Sequence, residues 1–195
     1  SYEDDEALEK IRATALAPTG GLTEAQHAAR AEGVGASESW DAIFNQAPLW
    51  LAKTRRTPPV DDSALFRLGH AIEPYIANET ALARGLRDMF KPDTMRAGKM
   101  VAHLDYLAKE AERTLILECK WRGTRDGFGE PGTADVPQKI LFQTTSQCRV
   151  AGYELALVPV LFLRPPVVVY DVPSDVELGG MIEEGVNRVW WHGEH

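Results

Sequence analysis

From Leu155 to Leu163 the chain is almost unbroken in apolar residues. A strand of that composition is buried on both faces. The order of elements around it, helices, a strand group, a helix, two strands and a helix, predicts a mixed α/β sheet with helices on both faces. Pro159 within the run argues against a central position and for an edge or a bulge.

The elements follow from periodicity and punctuation. Leu8, Ile11 and Ala15 have helical spacing in an acidic segment, a predicted N-terminal helix over about 1–17 that Pro18-Thr19-Gly20-Gly21 ends. Ser37 is a candidate N-cap for a helix carrying Trp40, Ile43 and Phe44, and Pro58-Pro59 marks a loop. The longest helical pattern runs from Asp62 to about Arg84, with Leu65, Leu68, Ile72 and Ile76 as its stripe. Segments near 96–108 and 113–120 read as adjacent strands joined by a charged turn around Glu110 to Glu112. Arg122 to Val136, rich in glycine, is a loop, and a helix follows from Pro137 to Val150. Val167 to Val172 is a further strand and Val176 to Trp191 a closing helix. A length of 195 residues fits one domain, 1–195.

Composition narrows the class. Apolar residues make up 44% and charged residues 26%, values of a globular protein, not of a disordered, collagen-like or coiled-coil chain. Cys119 and Cys148 form no CxxC pair or disulfide framework. No apolar run reaches the ~18 residues of a membrane span, and the acidic start is unlike a signal peptide. A cytoplasmic protein with reduced thiols and no membrane association is expected. The net charge of −8 speaks against nucleic acid, but Glu3, Asp4, Asp5, Glu6 and Glu9 hold five of the negative charges. Lys53, Arg55 and Arg56 cluster, as do Lys120, Arg122 and Arg125, so a local basic groove is permitted.

The chemistry centres on Leu115-Ile116-Leu117-Glu118-Cys119-Lys120. In a strand Ile116, Glu118 and Lys120 share one face, and Leu115, Leu117 and Cys119 the other. Taken alone, Glu-x-Lys is also the pattern of a solvated pair where a strand leaves the core. In the preceding segment Ala102 and Leu104 face one way, His103 and Asp105 the other. Hairpin pairing then sets Asp105 beside Glu118. Two adjacent carboxylates repel unless a cation lies between them, and carboxylate oxygen with water suits Mg²⁺ or Mn²⁺. Glu73 borders the apolar stripe of the long helix, or closes one turn before a new helix starting at Pro74. Gln143 and Gln147 are four residues apart, which also describes a polar pair on an exposed helix face. Arg30 and Ser37 suit a phosphate by residue type, though a surface arginine and an ordinary N-cap look the same.

The ordered series resembles the lambda-exonuclease/YqaJ-type phage recombination exonucleases of the PD-(D/E)XK superfamily. It comprises Arg30, Gly33-Val34-Gly35-Ala36-Ser37-Glu38, Gly69-x-x-x-Glu73-Pro74, Leu104-Asp105, Glu118-Cys119-Lys120, Val136-Pro137 leading to Gln143, Gln147 and Gly152, and Val189-Trp190-Trp191-His192. Leu104 stands where proline often precedes the aspartate, Tyr106 where glycine is common, and Trp121 where a small or polar residue is commoner. The resemblance implies a restriction-endonuclease-like mixed sheet flanked by helices. It implies that Asp105, Glu118 and the Cys119 backbone carbonyl hold Mg²⁺, or Mn²⁺ in its place, with Glu73 completing the site directly or through water. Lys120 would orient and help deprotonate the attacking water, Gln143 would position water or Lys120, and Arg30 and Ser37 would grip a terminal 5′-phosphate. Trp121, Arg122 and Arg125 are candidate DNA contacts.

The implied function is processive 5′→3′ hydrolysis of linear double-stranded DNA in phage-type homologous recombination. A homotrimeric ring and a single-strand annealing protein as partner belong to the same expectation. The alternatives are an endonuclease or single-strand nuclease of the same fold, or a DNA-end-binding protein that does not cut.

Overall fold

The computed structural model of the chain describes residues 32–54 and 64–194. The predicted N-terminal helix, the Pro58-Pro59 loop, Arg30, Arg55 and Arg56 lie outside these residues. In chain order the elements are β1 (Val34–Gly35), a 3-10 turn (Ala36–Glu38), α1 (Ser39–Phe44), α2 (Gln46–Lys53), α3 (Ala64–Arg84), β2 (Arg87–Phe90) and β3 (Met95–Ala97). There follow β4 (Met100–Ala102), β5 (Tyr106–Glu110), β6 (Arg113–Leu117), β7 (Lys120–Arg122), α4 (Gln138–Ala151), β8 (Leu155–Phe162), β9 (Val168–Pro173) and α5 (Val176–Glu194).

The larger sheet is mixed. β2, β5 and β6 are antiparallel neighbours, β6 and β7 run parallel to β8, and β9 is antiparallel to β8. Leu117 pairs with Leu157 and Lys120 with Val160, so β6 and β7 keep one register along one edge of β8, interrupted only over Glu118-Cys119. The expectation that Pro159 marks an edge or bulge is corrected: β8 is central, and Pro159 pairs with Val169 of β9. The proline is accommodated because its missing N–H falls where the β6–β7 ladder lapses.

Two helices cover the sheet from opposite sides. Ile116 of β6 packs with Ala156 and with Cys148 of α4. Leu115 and Leu117 pack with Leu155 and Leu157 on the other face. Asp171, which pairs with Leu157 and so shares its face, holds Arg84 of α3 through two bonds of 2.8 and 2.9 Å. Helices on both faces are therefore observed. Full burial of Ile116, Leu117 and Leu157 contributes about 1.5–3 kcal/mol each before entropic costs.

The predicted strand 96–108 is two structures. Residues 95–102 form the β3–β4 hairpin, which joins β1 in a separate three-stranded sheet, and only β5 pairs with β6. A Cβ on Gly33, just before β1, would lie 2.6 Å from Val101 Cγ2 and 2.7 Å from the Lys99 carbonyl, so only glycine admits this approach. Ser37 is inside the 3-10 turn, and the N-cap of α1 is Glu38, so Ser37 is not the helix cap the sequence predicted. α3 runs through Pro74 as one helix, which removes the reading of a new helix starting there. Lys53 is also reassigned. Its ammonium lies 2.5 Å from Glu38, with 6% of the side chain exposed, so it is spent on this ion pair and not on a basic groove.

Candidate active site

β6 aims Ile116 at α4, and the next residue of that parity, Glu118, reaches the same helix. There it is held on both oxygens. Oε1 accepts from Lys120 Nζ at 2.5 Å and from Gln143 Nε2 at 2.7 Å, and Oε2 accepts from Gln147 Nε2 at 2.5 Å. Lys120 Nζ also donates to Gln143 Oε1 at 3.1 Å, which closes a ring of three side chains. Gln143 and Gln147 lie one turn apart on α4 and share a face. Gln147 is wholly buried, so the exposed-pair reading does not hold. The sequence assigned it no role; its spacing from Gln143 is the signal that groups it with the site.

Asp105 lies in the crossing between β4 and β5, at the position that continues the pairing Tyr106 to Leu117. The Cys119 N–H donates to Asp105 Oδ2 at 2.8 Å. Burial, then the Glu118 and Glu73 carboxylates, push Asp105 well above the usual carboxylate range, against the opposing pull of Lys120. Burial, then the Asp105, Glu73 and Glu118 carboxylates, push the Cys119 thiol up, and burial with Glu73 does so for Tyr106. Three carboxylates, Asp105, Glu118 and Glu73, thus act on one another here.

Glu73 comes from α3 and is 8% exposed. Its Oε1 accepts from Lys91 Nζ at 3.1 Å, and its Oε2 lies 3.3 Å from His70 Nδ1. Glu73, Asp105, Glu118, Lys120 and Gln143 line one cleft of about 760 Å³, with Ser37 and Trp121 on its walls. The structure thus brings together the candidates for the metal, water-orienting and phosphate roles, except Arg30, which lies outside the described residues. Arg122 lines the cleft but Arg125 does not; its guanidinium sits 5.0 Å from the Phe162 ring centroid. A second cleft of about 770 Å³ lies by Arg149, Tyr153 and Glu154 without such a convergence, and Arg149 there is paired with Glu183 at 2.6 Å.

The donor set is hard, anionic oxygen. Among the described residues no group of three or more His, Cys, Asp and Glu forms a ready cage for a metal ion. Mg²⁺ fits such a place without one, because it keeps several waters and is commonly held by one or two carboxylates together with substrate phosphate. Asp105, Glu118 and Glu73 offer anionic oxygen of the kind such an ion takes.

No protein-family model matches the sequence, and no curated protein matches it. Solved structures do match. An alkaline exonuclease (LHK-Exo) from Laribacter hongkongensis has a TM-score of 0.68 at 18% identity, over 88% of this chain and 93% of that one. LHK-Exo in complex with dAMP gives 0.70 at 19% identity and the same coverage. A phage related exonuclease from Haemophilus somnus 129PT gives 0.63 at 12% identity, over 80% of this chain and 91% of that one. The chain has the α/β, restriction-endonuclease-like fold of these proteins, as the ordered motifs implied. Among the described residues no helix is long and apolar enough to cross a membrane.

Proposed function

We propose that this protein is a metal-dependent deoxyribonuclease that digests linear double-stranded DNA from its ends, 5′→3′. The observation that carries the reading is the convergence of Asp105, Glu118, Lys120 and Gln143 from separate elements in one cleft, with Glu73 facing them from α3. The shared fold supports it, and so does the dAMP bound by LHK-Exo, a deoxynucleoside monophosphate of the kind DNA digestion releases.

Asp105, Glu118 and the Cys119 carbonyl would hold Mg²⁺ or Mn²⁺, with Glu73 direct or through water. Bound there, the ion supplies Lewis acidity that acidifies water and offsets charge on the scissile phosphate. The chain's own residues do the positioning. Lys120 has three N–H donors, two of them engaged by Glu118 and Gln143, so one remains to orient the attacking water or a phosphate oxygen. Gln143 fixes Lys120 through its carbonyl and Glu118 through its amide, and so locks their relative placement. Ser37 offers a hydroxyl on the cleft wall to a terminal phosphate. Arg30 would add a charge-assisted contact to it. A homotrimeric ring and a single-strand annealing partner, with a role in phage-type recombination in the cytoplasm, complete the proposal.

The test compares 5′-phosphorylated linear, 5′-hydroxyl linear and covalently closed circular duplex, with Mg²⁺ or with EDTA. The proposal expects mononucleotide release from the phosphorylated linear substrate in Mg²⁺ only, with circles intact. Arg30→Ala should slow phosphorylated ends about ten- to a hundredfold and hydroxyl ends much less, the effect of losing one charge-assisted contact. Rapid cutting of closed circles would instead establish an endonuclease.

A further inference from the structure

Pro159 stands in the middle of β8, with strands on both edges, where proline is ordinarily excluded. Its position relative to the two carboxylates explains it. The Glu118 N–H donates to the Leu157 carbonyl at 2.9 Å. That bond fixes which way each residue of β8 turns its main chain: Leu157 faces β6, and by two-residue alternation Pro159 and Leu161 face the same edge. In a regular parallel ladder of this register, residue 159 would donate its N–H to the Glu118 carbonyl. Proline has none to give. On the opposite edge of the same strand Cys119 turns toward β5, and its N–H is taken by the Asp105 side chain instead of by backbone. Each edge of the sheet thus lacks one main-chain bond at the two residues between β6 and β7, while the Glu118 N–H stays tied to Leu157.

We infer that Pro159 is a positioning residue: by withholding one ladder bond from Glu118, it keeps the strand open at Glu118-Cys119 and lets the main chain there present the Glu118 carboxylate and the Cys119 carbonyl to a cation. The inference rests on the metal-dependent reading above. A valine at 159 would suit a buried strand and restore the bond. It would tie the Glu118 carbonyl to β8 and stiffen the segment that carries both oxygens.

The experiment uses the full chain without DNA, as wild type, Pro159→Val, Pro159→Ala, and a variant carrying α-hydroxyisovaleric acid at 159. The last has the shape of valine but no N–H. Mn²⁺ affinity is read by electron paramagnetic resonance, the Glu118 carbonyl by its ¹³C chemical shift in the metal-free protein, and folding by Tm. Both amide-bearing variants should weaken Mn²⁺ binding by about tenfold or more, the scale of losing outer support at a metal site. They should also shift the Glu118 carbonyl downfield without lowering Tm, and the hydroxy-acid variant should bind Mn²⁺ as the wild type does. Unchanged affinity in both amide-bearing variants overturns the inference. So does a lowered Tm with an unmoved carbonyl shift, or a hydroxy-acid variant as weak as valine. Failure of the wild type to bind Mn²⁺ overturns the metal-dependent reading itself, a separate result.

Discussion

Two buried glutamates face the same cleft and are held in opposite ways. Glu118, 3% exposed, is gripped by Lys120, Gln143 and Gln147, all carried on the sheet and on α4, which pack directly on each other. Glu73, 8% exposed, is held by His70 one turn away on its own helix and by Lys91, whose side chain is 55% exposed. Burial alone does not distinguish them; the anchoring does. A carboxylate fixed in the core by two amides and a largely buried ammonium has one geometry, whereas one tethered to a solvated ammonium can adjust. In the proposed reaction the Glu118 side would supply the fixed part of the chemistry and Glu73 an adjustable part.

That contrast can be broken at several strengths. Asp105→Ala or Glu118→Ala should abolish DNA cleavage, because each leaves the cation under-coordinated; wild-type rates in saturating Mg²⁺ would remove the site. Lys120→Ala should lower the single-turnover rate about 10²-fold or more, the usual scale of a proton-transfer group. Calorimetric Mn²⁺ titration should show binding retained in that variant, since an ammonium is no metal ligand. Gln147→Leu should weaken metal binding about 10- to 100-fold, as loss of an outer partner of a ligand does. It also leaves Glu118 Oε2 short of a buried donor, at a cost of about 1–3 kcal/mol in a denaturant melt.

The elevated Asp105 pKa makes a pH experiment informative. Over the range between its ordinary and its raised value, the folded protein keeps a proton that the unfolded chain has released. Metal-free stability therefore falls as pH rises through that window, and it is fully retained below the ordinary value. A cation displaces the proton, so Mg²⁺ affinity should rise with pH by up to about tenfold per unit there. The rise should vanish in Asp105→Asn. The smallest effect belongs to the tethered side: Lys91→Ala should change rate or stability by no more than the ~0.2–1 kcal/mol of an exposed ion pair. A loss as large as that of Gln147→Leu would erase the distinction between the two glutamates.

Much of this was legible locally. The apolar run at 155–163 announced a doubly buried strand, and strand alternation placed Ile116 and Glu118 on one face and Leu115 and Leu117 on the other, as found. The pairing of Asp105 with Glu118 followed from a hairpin turn alone. What escaped depends on partners distant in sequence. Pro159 looked like an edge residue because periodicity cannot say that the strand beside it is interrupted at the matching position. Residues 95–102 looked continuous with β5 because an apolar stretch does not name its sheet. Gln147 looked exposable because Gln143 to Gln147 is an unbroken polar run, yet α4 is buried throughout Thr144 to Cys148. Lys53 read as groove charge until Glu38, fifteen residues away, claimed it.

The most direct test of the central claim is single-turnover digestion of 5′-phosphorylated linear duplex DNA by the wild type and by Glu118→Gln, each with Mg²⁺ and with EDTA. Glutamine keeps the size of Glu118 and a hydrogen-bonding carbonyl but removes the charge. The account predicts mononucleotide release by the wild type in Mg²⁺ alone, and none from Glu118→Gln despite an unchanged fold by circular dichroism. Release by Glu118→Gln at the wild-type rate, or release by the wild type in EDTA, would contradict it.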